Sequence, residues 1–183
     1  MSEYQPEFDE CKFRNLVLYI GQRAWDDATL GKTRLYKTLW LSDFLAYARL
    51  GHSITGADYV HMPQGPGPDN AEQLLQSMLD DGELQIRSEP RYAYAIQRPL
   101  AQREPELDEL FAPSEIAIVE EVLRQFDGQH AVDTSEWSHE HSVGWRLTED
   151  GERIPYETIF LSAETPTIDD ERWAEGVLRL RSA

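Results

Sequence analysis

The apolar residues after Lys32 recur every three to four positions: Lys-Thr-Arg-Leu-Tyr-Lys-Thr-Leu-Trp-Leu-Ser-Asp-Phe-Leu-Ala-Tyr-Ala-Arg-Leu-Gly. Leu35, Leu39 and Ser42 fall on one helical line, with Tyr36, Trp40, Phe44 and Tyr47 beside it, so the spacing predicts a helix buried over a wide face. Gly51 stands where a C-cap glycine belongs, because glycine takes the left-handed conformation without steric cost. Upstream, Phe13, Leu16, Val17 and Ile20 form the stripe of a first helix over about residues 8–24, with Trp25 near its end. The short loop from Asp26 to Gly31 obliges these two helices to pack on each other.

Beyond Gly51 the pattern changes. Ile54, Tyr59, Val60 and Met62 lead into Pro63, Gly65, Pro66, Gly67 and Pro68. Such density of Pro and Gly cannot continue a helix or a central strand, so a stiff, shaped loop is expected, ending at Asp69 as N-cap of the next helix. Ala71, Leu74, Leu75, Met78 and Leu79 mark that helix, which stops at Asp80-Asp81-Gly82. Leu84-Gln85-Ile86-Arg87 and Tyr92-Ala93-Tyr94-Ala95-Ile96 alternate around the turn chemistry of Ser88-Glu89-Pro90-Arg91, which predicts a β-hairpin. Residues 99–113 read as an acidic surface loop that Leu107, Leu110 and Phe111 could pin to the core. Ser114 is the expected cap of a helix carrying Ile116, Val119, Val122, Leu123 and Phe126, closed by Asp127-Gly128. Asp133 or Thr134 starts a short segment through Trp137 and His141. Residues 155–163 form a further short helix, and Thr167 caps a last one to about residue 181. The fold class expected is α+β and mainly α-helical: a compact helical core with a small β-hairpin, in one domain over residues 1–183.

Composition narrows the function. The chain carries 34 acidic and 17 basic residues, a net charge of −17. The first 50 residues hold 7 of each sign, so the whole excess lies after Leu50. Affinity for phosphates comes mainly from Lys and Arg, so no nucleic-acid partner is expected, whereas an acidic face steers association with a basic partner. Cys11 is alone and cannot form an internal disulfide, which suits a reducing cytoplasm; its place in the first helix suggests a buried, inert thiol. No apolar run is long enough to cross a bilayer.

Candidate chemistry is sparse. His139-Glu140-His141 has its histidines at i and i+2, on different helix faces, which disfavours metal binding; His139 is expected to bond locally before Trp145. There is no Gly-x-Ser-x-Gly elbow, Walker loop or dinucleotide turn. No catalytic residue, metal or cofactor is therefore expected, and the chain does not read as an enzyme. Asp43 is a carboxylate on an apolar helix and needs hydrogen bonds there. It either accepts them from the Pro/Gly loop or another helix start, or it meets a partner segment. Lys32, Arg34 and Lys37 form a small basic strip, read as a solvated face, a set of ion pairs with the acidic second half, or a partner contact.

The helix Lys-x-x-Leu-x-Lys-x-Leu-x-x-x-Asp-Phe, the Gly, and the block Ile54-Thr55-Gly56 through Tyr59-Val60, Met62-Pro63 and Gly65-Pro66 resemble the Panacea domain, also called the SocA-like antitoxin domain, found in many phage-associated proteins. A second block matches in order: Ser138-His139, Gly144-Trp145 and Ile154-Pro155-Tyr156. The resemblance covers roughly residues 8–163. Gln64 departs from it, standing where members usually carry an aromatic residue. The resemblance implies an antitoxin that neutralises a cognate toxin, encoded next to it, by direct protein–protein binding. Its toxins are of unrelated types. Tyr59, Met62, Gln64, Pro66, Lys32 and Asp43 are the candidate partner-binding residues, with a core role as the rival for Tyr59, Met62 and Pro66. Two alternatives are an adaptor that delivers the toxin to a protease and a winged-helix-like transcriptional regulator, the hairpin serving as its wing.

Overall fold

The structure, a computed structural model, describes residues 4–91 and 94–161. Its elements are α1 (Glu10–Arg23), α2 (Lys32–Leu50), β1 (Tyr59–Met62), β2 (Gly65–Pro68), α3 (Ala71–Asp80), β3 (Leu84–Pro90), β4 (Ala95–Ala101), α4 (Pro113–Gln125), α5 (Ala131–His141), α6 (Val143–Leu147) and a 3-10 helix (Tyr156–Phe160). The class is mixed α+β and mainly helical. The last helix expected after Thr167 lies outside the described residues.

Helix α2 is the centre of the molecule, touching α1, β2, β4, α4, α5 and the 3-10 helix. Leu35, Leu39, Trp40 and Phe44 are buried along it, and each large apolar side chain so removed from water contributes about 1.5–3 kcal/mol. Gly51 ends it at φ +82°, donating its N–H to Tyr47 O at 3.0 Å. Burial extends to charged groups on the same helix. Arg34 and Lys37 are each 2% exposed, so the basic strip is not a solvated face. The Arg34 guanidinium pairs with the Asp27 carboxylate and donates to Thr29 Oγ1 at 2.7 Å and Gln129 O at 3.1 Å. Lys32 alone keeps to the rim, ion-paired with Glu72 at 2.5 Å.

Cys11 is exposed, contrary to the expectation of burial. Helix α1 buries Phe13, Leu16, Val17 and Ile20, and position 11 lies off that stripe. The caps also differ from expectation. Asn70, not Asp69, precedes α3, in a left-handed conformation, while the Asp69 carboxylate accepts from Asn70 N at 2.9 Å. Ala112, not Ser114, precedes α4, and Glu115 folds back to accept Ala112 N at 2.8 Å. Helix α5 begins at Ala131, where Asp133 accepts the His130 N–H at 3.2 Å. The helix expected over residues 155–163 is the shorter 3-10 turn Tyr156–Phe160.

There are two hairpins among the described residues. The one legible in sequence, β3–β4, is longer than expected, and its turn lies beyond Pro90. The second is built from the Pro/Gly run itself: β2 pairs antiparallel with β1, Met62 opposite Gly65 and Val60 opposite Gly67. Asp69 N donates to Asp58 O at 2.8 Å. Strand alternation therefore turns the N–H groups of Gly65 and Gly67 toward β1, and Pro66 and Pro68 occupy positions where no ladder donor is needed. The opposite edge of β1 is also covered. His61 N donates to Glu152 O at 2.8 Å, Gly151 N to His61 O at 2.9 Å and Ile154 N to Tyr59 O at 2.7 Å.

Candidate partner-binding site

Asp43 fixes the approach to the β1–β2 hairpin. Its carboxylate is fully buried and accepts Ile54 N at 2.7 Å, Thr55 N at 2.8 Å, Thr55 Oγ1 at 2.5 Å and Tyr59 OH at 2.7 Å. Burial pushes its pKa above the ordinary value, against these four bonds that favour the charged form. Tyr156 closes the same layer, stacked on Phe44 at 4.6 Å and donating to Ala57 O at 2.6 Å. Thus the Ile-Pro-Tyr block and the Asp43 helix hold one strand between them, although 113 positions separate Asp43 from Tyr156 in the chain.

The hairpin tip is braced from both sides. Lys37 Nζ donates to Pro66 O at 2.6 Å, and Trp145 Nε1 donates to Met62 O at 2.9 Å. The indole of Trp145 is stacked by His139 at 4.0 Å and by His61 at 4.3 Å. Gly65 sits at φ +98° against α5, where an added Cβ would lie 2.2 Å from Ser138 Oγ and 3.0 Å from Lys37 Cε. No side chain fits between the hairpin and Ser138, so glycine is required both for φ and for space. Pro63 and Gln64 remain exposed between the two braces.

Beside the tip lies a groove of about 550 Å³, lined among others by Lys32, Tyr36, Lys37, Met62, Gln64 and Glu72. Glu72 is held by Lys32 and by the Tyr36 hydroxyl at 2.9 Å, and these bonds keep its carboxyl below the ordinary range. Burial lowers the Lys37 ammonium as well, to about 7, which for this group disfavours the charged form. His139 is also lowered, chiefly by burial and then by the Lys37 charge.

Of the six residues singled out in sequence, three meet at this groove: Lys32 and Met62 in its walls and Gln64 at its exposed end. The other three do not reach the surface. Tyr59 is fully buried, Pro66 is buried within the hairpin, and Asp43 is bonded inside the chain, though by Ile54, Thr55 and Tyr59 ahead of the Pro/Gly loop rather than by that loop or a helix start. Sequence reasoning missed Lys37 as a groove residue, because a lysine on a striped helix ordinarily reaches solvent. It also missed the His61–Trp145–His139 stack, which joins three segments and leaves no local spacing to detect. His139 was expected to bond locally before Trp145, and its ring in fact lies on that indole.

Comparison with known proteins is narrow but specific. No curated protein and no solved structure matches the chain. A family model, antitoxin SocA-like, Panacea domain, matches residues 35–146. That span is well over half of the chain and runs from Leu35 in α2 to Arg146 in α6. It contains Lys37, Asp43, the β1–β2 hairpin and Trp145, and this chain belongs to the antitoxin SocA-like, Panacea domain family.

Proposed function

We propose that this chain silences a toxin encoded beside it by binding that toxin directly, through the tip of the β1–β2 hairpin and the adjoining groove. One observation carries the proposal: the segment that matches the antitoxin family contains an exposed tip, Pro63-Gln64, braced on both flanks by the Lys37 and Trp145 donors. A preformed element loses little conformational freedom on association, so more of its contact energy appears as affinity. The net charge of −17 suits a basic toxin surface, by raising the encounter rate at low salt.

Co-expression with the product of the neighbouring reading frame tests this. Growth should be restored, and the two proteins should co-purify. Gln64→Arg changes only an exposed side chain, and it should weaken the complex at least tenfold, about 1.4 kcal/mol, without lowering thermal stability. Toxin abundance in the same cells separates neutralisation from delivery to a protease. Abundance that is unchanged while growth recovers supports neutralisation, and abundance that falls assigns the chain an adaptor's role. If the Gln64 variant binds as tightly as the parent, the interface lies elsewhere.

A further inference from the structure

We propose that the groove receives an acidic side chain of the bound toxin, whose carboxylate pairs with the ammonium of Lys37. This rests on the direct-binding reading above and names the group that the site selects. Lys37 lines the groove yet is 2% exposed, and among the described residues it has one hydrogen-bond acceptor, Pro66 O. An ammonium carries three donors, so two are unused in a place where water is largely excluded. The nearby acid in the groove wall cannot serve it, because Glu72 is already held by Lys32 and Tyr36. His139 Nε2, close enough for the Lys37 charge to lower its pKa, is likewise buried without a partner.

Buried ammonium groups are costly unless an anion meets them, and here the folded chain supplies only a neutral carbonyl. A carboxylate is the complement that satisfies both the charge and the free donors. The groove walls add carboxamides from Gln64, Asn70, Gln73 and Gln97, a group that can both donate to and accept from the backbone of an extended segment. The occupant is therefore an extended toxin segment bearing Glu or Asp.

The consequence is proton linkage. Burial holds Lys37 at about 7 in the free chain, and a facing carboxylate raises it. The complex then takes up a proton. Affinity is greatest below pH 7, where Lys37 is already charged, and falls as pH rises toward the value in the complex. The charged and titratable groups beside Lys37 are Lys32 and Tyr36 on its own helix, Glu72 on α3 and His139 on α5, the last of which is itself acted on by His61 and Glu136. His139 is lowered, chiefly by burial, so it gives up its proton at lower pH than an ordinary histidine does.

The test is calorimetric titration of the purified chain with the product of the adjoining reading frame, from pH 6.5 to 9. Affinity should fall by close to tenfold per unit between pH 7.5 and 9. Lys37→Met should abolish that slope and weaken binding at pH 6.5 by about tenfold or more. His61→Gln and His139→Gln should keep the slope. Replacing the toxin's acids one at a time by their amides should find one that reproduces the Lys37→Met profile. Because Lys37→Met removes a hairpin brace, the parent chain provides an independent readout. The Nζ resonance of Lys37, in lysine-labelled protein, should titrate near pH 7 when free and above pH 9 in the complex. Tight binding with no pH slope, or an unchanged Lys37 midpoint on binding, would overturn the inference and leave direct binding intact. Absence of binding at every pH would overturn both.

Discussion

Asp43→Ala should cost a large share of the stability of this protein. Four donors converge on the carboxylate, two of them backbone N–H groups that cannot turn away, those of Ile54 and Thr55. A buried donor left without a partner costs about 1–3 kcal/mol, while the hydroxyls of Thr55 and Tyr59 can partly re-aim. The sum is about 4 kcal/mol or more, against a total of about 5–15 kcal/mol for an ordinary domain. Asp43→Asn keeps an acceptor for the two N–H groups and turns the other terminus into a donor to the hydroxyls, so about 1–2 kcal/mol is expected. The pH dependence separates charge from geometry. Burial raises Asp43 above its ordinary 3.8, so the folded state binds the proton more tightly. Its contribution to folding is full below that ordinary value and is lost as pH rises through the folded-state value. Glu72, Glu83 and Glu120 are lowered and act in the opposite sense, but they are common to both proteins and cancel in the difference. Urea unfolding of parent and Asn variant at several pH values from 4 to 8 should show the gap narrowing as pH rises. A gap that widens with pH, or an Ala variant within 1 kcal/mol of the parent, would refute the account of Asp43.

Two further outcomes follow from single contacts. Gly65→Ala should destabilise by about 2–4 kcal/mol, from the positive φ and from the overlap with Ser138 Oγ, and adding Ser138→Gly should recover the overlap but not the backbone cost. Strict additivity of the two changes in a denaturation cycle would show that they do not touch. Cys11 should react with a thiol reagent in the native protein at one equivalent per chain, and Cys11→Ser should change stability by less than about 0.5 kcal/mol. A thiol protected until unfolding would contradict its place on the outer face of α1.

What could be read from the sequence was what depends on neighbours a few residues away. The stripe of α2, the Gly51 cap and the alternation of β3 are local, and each stands where its pattern put it. The β3–β4 turn was displaced because Pro90 and Pro99 read as breakers. Both lie inside strands in a two-stranded sheet, whose outer edges tolerate a missing donor. The same rule hid β2. Its prolines alternate with glycines, and only the register with β1 reveals that the period of two points every missing N–H away from the ladder. The site was less legible still. Tyr59 read equally as a surface contact or a core residue, and only Asp43, sixteen positions earlier, decides for the core by accepting its hydroxyl. Lys37 looked solvated until Pro66, twenty-nine positions later, covered it. In each case the deciding partner comes from another element, and no spacing encodes it.

Most cations among the described residues are paired within the chain. Lys12, Arg14, Arg23, Lys32, Arg34, Arg49, Arg98, Arg103 and Arg153 each lie within ion-pair distance of an acid. The remaining acids set a negative far field, which draws in a basic partner and repels carboxylates from most of the surface. Lys37 differs from these nine in being a buried cationic group that, among the described residues, is met by a neutral carbonyl. On the proposed reading the two features divide the work of recognition. The field, screened beyond about 8–10 Å at ordinary salt, governs how often a basic toxin arrives. The groove governs its register, because an acid on that toxin gains at the buried Lys37 and loses where it meets Glu or Asp. Added salt should therefore slow association while leaving the Lys37-dependent pH slope in place, since the first acts through solvent and the second through a buried pair. Loss of both together would mean that the pH slope belongs to the surface field rather than to the groove.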